Sequence, residues 1–312
     1  MQYSSEVSGH RQVGVEVEFS VFGRRLTGKQ WGSPTGAPTF ALHGWLDNAN
    51  TFDRLAPMLP ELNIIALDFA GHGRSDHRPP GVHYHPLTDI QDVLAVAELL
   101  EWPTFNLLGH SMGAAISSEL AATFPDRVQR AALIDGFVAT GGVTLAERLE
   151  QNQTAVRNML TAHTKQPRLY ADTLTMAQRV SEATDQTEDA AAVLVERGHR
   201  VVDGGVTWRT DPRIRFPTPL RYSREHLNLL LQAARAPALL VVAEQGDEWY
   251  QGEVADAEAH YPDLTVVRMP GPHHIHLERA YVQKVAGHVR QFFGLPRAPQ
   301  NPGDALEWDG VV

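Results

Sequence analysis

The feature that most narrows what this chain can become is a five-residue turn, Gly109-His110-Ser111-Met112-Gly113. A short apolar run, Phe105-Asn106-Leu107-Leu108, leads into it. Ala114, Ala115 and Leu120 continue from it as a helix that stops near Pro125. A buried strand that turns straight into a helix has no room for side chains beside the corner. Glycine two residues either side of a serine is what such a corner requires. The serine hydroxyl is pushed out at the end of the sheet, and the following helix aims its positive end at it. The backbone N–H of Met112 is then free to hold an oxyanion. Gly-x-Ser-x-Gly also arises by chance, so the strand before it and the helix after it are what give it meaning.

The same strand-then-helix form repeats along the chain. Thr39-Phe40-Ala41-Leu42, Asn63-Ile64-Ile65-Ala66-Leu67, Ala131-Ala132-Leu133-Ile134, Ala238-Leu239-Leu240-Val241-Val242 and Leu264-Thr265-Val266-Val267 read as short buried strands. Between them lie helical patterns. One opens on a capping box, Thr88-Asp89-Ile90-Gln91, and ends at Pro103. The last carries Val282, Val285, Val289 and Phe292 on one face. This spacing predicts an α/β fold, a mostly parallel central sheet flanked by helices. Val13, Val15, Val17, Phe19 and Val21 alternate with period two, and Gly23 and Gly28 bracket a turn towards Trp31. Together they predict an antiparallel edge. Residues 138–234 contain no convincing buried strand. They read as mostly helical, interrupted by Gly204-Gly205 and by Pro212, Pro217 and Pro219. The expected division is a core of residues 1–137 and 235–296, a helical cap of residues 138–234, and a tail of residues 297–312.

Composition sets outer limits. The chain has 312 residues, 43% hydrophobic and 21% charged, enough for a sizeable core. A net charge of -10 argues against nucleic acid or an anionic membrane surface as partner, because both need a basic footprint. With no cysteine, disulfides, thiolate chemistry and cysteine-ligated zinc are excluded. The first residues carry no apolar stretch of a secretory signal, and no run approaches a membrane span. A cytoplasmic location is the expectation. Oligomeric state is not legible.

A serine nucleophile needs a second oxyanion donor, a general base and an acid. His43-Gly44-Trp45 follows an earlier strand. Gly44 allows close backbone approach, and the Trp45 N–H is the candidate second donor beside that of Met112. Asp47 and Asn48 suit turn and helix-cap roles, and Asp68 to Ser75 reads as a scaffold loop with a structural His72. Of fifteen histidines, those in Pro270-Gly271-Pro272-His273-His274-Ile275-His276-Leu277-Glu278 stand out as candidate bases. Three close histidines also raise a metal site, but no further ligand is visible nearby, so no metal and no cofactor is expected.

The turn at Ser111, the His43-Gly44 loop, the Asp68-x-x-Gly71-x-Gly73-x-Ser75 loop and the histidine motif resemble the α/β-hydrolase superfamily over roughly residues 13–295. The stretches His43 to Asp53 and Asp203 to Arg213 look closest to its serine hydrolase-like branch. The resemblance implies the order nucleophile, acid, histidine. A catalytic histidine five residues before a glutamate, as His273 is before Glu278, favours His273 over His274, with His276 a neighbour. In this family the acid stands after one of two strands. That leaves Asp135 or Asp247 open, with Glu244 a lesser choice. His43, Gly44, Gly109, His110 and Gly113 support the motifs.

The expected activity is carboxylesterase-like hydrolysis (EC 3.1.1) of an ester or lactone through an acyl-enzyme on Ser111. The substrate would be a small molecule, expected to be an apolar acyl or ester compound. Phe137, Tyr170, Trp208 and Tyr222 are candidate pocket aromatics. A carbon–carbon bond hydrolase of the same fold and a non-catalytic binding protein are the alternatives.

Overall fold

The computed structural model describes residues 11–137, 145–162, 168–219, 222–245 and 248–296. Its strands are β1 (Arg11–Val21), β2 (Arg24–Gly32), β3 (Ala37–Leu42), β4 (Leu62–Leu67), β5 (Phe105–His110), β6 (Val128–Ile134), β7 (His199–Val202), β8 (Gly205–Trp208), β9 (Ala238–Ala243) and β10 (Leu264–Met269). Its helices are α1 (Pro86–Leu99), α2 (Met112–Thr123), α3 (Leu145–Leu160), α4 (Thr173–Ala183), α5 (Glu188–Gly198), α6 (Arg224–Ala233), α7 (Glu248–His260) and α8 (Val282–Phe293). The main sheet has the order β1-β2-β4-β3-β5-β6-β9-β10. β1 and β2 are antiparallel, as the alternating N-terminus implies, and the pairs from β4 to β10 are parallel.

The near-continuous apolar strands are explained by two cores, one on each face of the sheet. Successive residues of a strand point to opposite faces. Leu107, Leu133 and Leu240 therefore join one core with α1, α2, α6 and α7, while Leu108, Ile134 and Val241 join the other with α8 and the turn at Phe52. β4, β5 and β9 are buried along their whole length, and β3 is buried from Thr39 to Leu42. Its two outer residues, Ala37 and Pro38, are not buried. In β1, Phe19 and Val21 reach the core. Val15, beside a register shift, is 46% exposed.

The structure departs from the sequence reading at three local points. α1 starts at Pro86, not Thr88. His85 is its cap, accepting from Leu87 N, and proline at the first helical position was the missed signal. Gly28 lies inside β2, where a Cβ would meet Ala66 O at 2.3 Å, and the turn is made by Phe22 and Gly23. Residues 199–208 form a hairpin, β7–β8, inside the segment read as helical. Asp203 and Gly204 (φ 82°) make its turn and Gly205 (φ 148°) opens β8, so the two glycines are not a break. α6 packs with α2 and α7 on the core layer.

The parallel strands end at one edge, and loops gather there. Asp68, at the end of β4, ties them to the inserted helices. Its buried carboxylate accepts from Ala49 N (2.8 Å), Arg74 N (2.9 Å), Thr27 Oγ1 (2.7 Å) and Arg197 Nε of α5 (2.8 Å). Arg197 is 1% exposed and also reaches Glu16. Losing one partner strands a buried charge. Arg197→Met is expected to lower unfolding free energy in urea by about 3–5 kcal/mol. Arg268→Ala, which breaks the exposed pair with Glu258, is expected to change it by less than about 1 kcal/mol.

Candidate active site

Ser111 sits between β5 and α2 with φ 51° and ψ −117°, a left-handed backbone that costs a non-glycine residue about 1–3 kcal/mol. Packing enforces it. A Cβ on Gly113 would lie 2.0 Å from Leu42 O, and one on Gly109 would lie 2.5 Å from Ala114 Cα. Ser111 N donates to Ile134 O, and Ser111 O accepts from Ala114 and Ala115 N. Gly136 of the next strand end presses on the same peptide, 2.3 Å from Ser111 O to its would-be Cβ.

Asp135, the first residue after β6, is also left-handed (φ 43°) and is buried. Its N–H donates to Val241 O, and its Oδ1 accepts from Ala243 N at 2.8 Å, so the neighbouring strand β9 fixes the carboxylate. Oδ2 lies 2.5 Å from His273 Nδ1. A carboxylate only accepts, so Nδ1 carries the proton and Nε2 presents a lone pair. No partner takes Nε2 among the described residues, and His273 shares a cavity wall with Ser111. Burial pulls the His273 pKa down, but the hydrogen bond and charge of Asp135, helped by Asp47 and Asp185, hold it above the ordinary histidine value. Asp247 lies outside the described residues. Glu244 is exposed, and its backbone N–H is bonded to Met269 O.

The His43 loop is arranged around one peptide group. Phe69 N–H donates to His43 Nε2 at 3.0 Å, so Nδ1 carries the ring proton and donates to Gly44 O at 2.7 Å. Desolvation keeps the buried ring neutral, lowering its pKa against the pull of Asp68 and the Gly44 carbonyl. Asp47 N donates to the same carbonyl. In a planar trans peptide the C=O and N–H point in opposite directions, so anchoring Gly44 O aims the Trp45 N–H away from His43. Neither this N–H nor that of Met112 donates to an acceptor among the described residues.

Behind His273 the fold brings together residues that the sequence reading kept apart. Asp47 accepts from His274 Nε2 (3.2 Å) and Thr51 Oγ1 (3.2 Å) and faces His110 Nδ1 (3.4 Å). His110 Nε2 meets His273 O at 3.2 Å, and His276 Nε2 meets Thr51 Oγ1 at 2.9 Å. Burial would raise the Asp47 pKa, but His274 and His110 hold it well below the carboxylate range. Burial and the neighbouring His274 push His110 down to about 3, leaving a neutral ring with one N–H for two facing acceptors. Donor atoms of Asp47, His110 and His274 lie within 4.8 Å of one another. The histidine loop thus has the further potential metal ligands that its own stretch of sequence lacked. Asp47 proves to be a clamp between loops as well as a turn residue, while Asn48 caps the turn as expected.

Glu278 has a role that its spacing alone did not disclose. Its two oxygens accept from Thr187 N and Oγ1, both at 2.8 Å, at the start of α5. Asp185 Oδ2 accepts from His273 N at 3.3 Å. The inserted segment therefore holds the histidine loop directly. A cavity of about 1780 Å³ opens above Ser111, and Phe137, Tyr170 and Trp208 line it. Tyr222 does not; its hydroxyl bonds Glu119 on α2 at 2.5 Å. No helix among the described residues is long and apolar enough to cross a membrane.

Residues 40–183 match the alpha/beta hydrolase fold family model. A serine hydrolase-like protein of Danio rerio is 30% identical over 96% of this chain and 93% of its own length. One from Dictyostelium discoideum is 32% identical over 88% and 77%. The crystal structure of a hypothetical protein from Pseudomonas aeruginosa PAO1 superposes with a TM-score of 0.85 at 40% identity, covering 89% of this chain and 99% of that one. A thioesterase domain from the curacin pathway shares the fold at a TM-score of 0.77 and 23% identity. With the elbow at Ser111 and the loops around it, these likenesses establish that the chain belongs to the α/β-hydrolase superfamily, in its serine hydrolase-like branch.

Proposed function

We propose that this chain is a carboxylic-ester hydrolase that works through an acyl-enzyme on Ser111. The observation that carries the reading is the 2.5 Å contact between His273 Nδ1 and the buried Asp135 carboxylate, on a histidine that lines the same cavity as Ser111. His273 Nε2 takes the hydroxyl proton as Ser111 Oγ attacks the ester carbonyl carbon. The charge moving onto the carbonyl oxygen is met by the N–H groups of Met112 and Trp45. The imidazolium, stabilised by Asp135, gives its proton to the departing alkoxide. The histidine then activates water, which attacks the acyl-enzyme, releases the acid and restores Ser111. Within the expected cap of residues 138–234, helices α3, α4 and α5 and the β7–β8 hairpin act as the lid over this cavity, while α6 packs on the core.

The reading has three measurable consequences. A fluorophosphonate is expected to add once to the parent chain and not to Ser111→Ala, by intact mass. No adduct on folded parent removes the acyl-enzyme from consideration. His273 must be neutral to accept the proton, and its pKa is raised. Activity should therefore fall with acidification through a midpoint above the ordinary histidine value. In Asp135→Asn that midpoint should drop and kcat should fall by about 10³–10⁴-fold. His43→Ala frees the Gly44–Trp45 peptide and is expected to cost about 10²-fold in kcat with little change in KM, the pattern of a lost oxyanion donor.

A further inference from the structure

The chain is acidic overall, at -10, yet the wall of the cavity above Ser111 carries cations with no matching anion. The carboxylates lining it are all engaged. Asp135 meets His273, Asp47 meets His274, Asp89 meets Arg78 at 2.8 Å, Glu182 meets Arg179 at 2.6 Å, and Asp211 meets Arg213 at 2.6 Å. Arg168 and Arg215 line the same cavity and form no ion pair among the described residues. The undescribed residues that adjoin them in sequence, 163–167 and 220–221, contain no Asp or Glu.

Each of these guanidiniums is held by a ring instead. The Arg215 guanidinium carbon sits 5.6 Å from the Trp45 ring centroid, and that of Arg168 sits 5.3 Å from the Tyr170 ring. Stacking uses the flat face of the guanidinium and leaves its in-plane N–H donors free for oxygen anions. Trp45 is itself pinned, its Nε1 donating to Ile214 O at 3.3 Å. Arg215 therefore has a fixed platform next to the peptide proposed as oxyanion donor.

We propose that the cavity takes an ester carrying a second, anionic oxygen group, a carboxylate or a phosphate, which Arg215 and Arg168 bind through their free N–H edges. This rests on the ester-hydrolase reading and replaces a wholly apolar substrate with an amphipathic one. The anion is drawn by uncompensated charge in a partly enclosed site and is held at a distance from Ser111 that selects which carbonyl can reach it.

The test compares turnover of 4-nitrophenyl hydrogen adipate with 4-nitrophenyl hexanoate, acyl groups of equal length with and without a terminal carboxylate. A second pair, 4-carboxyphenyl butanoate and its methyl ester, puts the charge on the leaving group. Adding inorganic phosphate as competitor distinguishes a carboxylate from a phosphate preference. One anionic member is expected to be favoured in kcat/KM by about five- to tenfold at low salt, less at about 0.5 M ionic strength. That ratio should fall towards one in Arg215→Gln, and in part in Arg168→Gln.

The proposal is overturned by equal turnover of charged and neutral esters. It is equally overturned by a ratio that both variants preserve, including a variant that slows all substrates alike. If no ester is turned over, the hydrolase reading fails and anion binding is measured directly, as adipate or phosphate quenching of tryptophan fluorescence. Salt-sensitive quenching lost in Arg215→Gln then sustains the anion site, and its absence in the parent overturns it.

Discussion

Two residues at the ends of neighbouring parallel strands are held with positive φ, Ser111 at 51° and Asp135 at 43°, and the rest of the site depends on that constraint. Neither conformation is stable on its own account. Ser111 is kept there because glycines 109, 113 and 136 let three backbones crowd one corner, with distances that no side chain would survive. Asp135 is kept there by hydrogen bonds from and to β9. The sheet thus spends packing on turning a hydroxyl and a carboxylate towards one edge. His273, on a loop after β10, bonds the Asp135 carboxylate and lines the same cavity as Ser111.

Loops that carry such groups must be held as firmly as the strands, and here polar bonds perform that task. His43 fixes one peptide, Asp68 gathers the loops after β3 and β4, and Asp47 joins the stretch after β3 to His110 and His274. The inserted helices reach the same edge through Arg197 on Asp68 and Thr187 on Glu278. The bonds of Thr187 to Glu278 and of Asp185 to His273 N tie the start of α5 and the turn before it to the loop that carries His273. Charged pairs buried this deeply contribute position more than net stability, because desolvation offsets most of their attraction.

Much of this was legible in the sequence. Fully buried strands announce themselves as unbroken apolar runs, and the corner at Ser111 can be built from few sequences, so the fold and the strand–turn–helix setting of Ser111 were readable from Phe105 to Gly113. Less legible were features whose partners lie far along the chain. The bond between Asp135 and His273 joins residues 138 positions apart, and no local pattern encodes it. Asp47 looked like an ordinary turn residue because His110 and His274 meet it only in the folded chain. The β7–β8 hairpin was hidden because four-residue strands are too short to show a period, and its glycines resemble a break. Spacing singled out Glu278 but not its partner, since Thr187 lies about ninety residues earlier in the chain.

The central claim is that this edge forms a covalent acyl intermediate on one serine. Rapid mixing with a stoichiometric excess of a 4-nitrophenyl ester, read by nitrophenolate release and by mass of the quenched chain, tests it most directly. The account predicts a burst of about one nitrophenolate per chain before steady turnover, with the acyl mass on the peptide that contains Ser111. An acyl group on another residue, or hydrolysis that persists undiminished in Ser111→Ala, would contradict it.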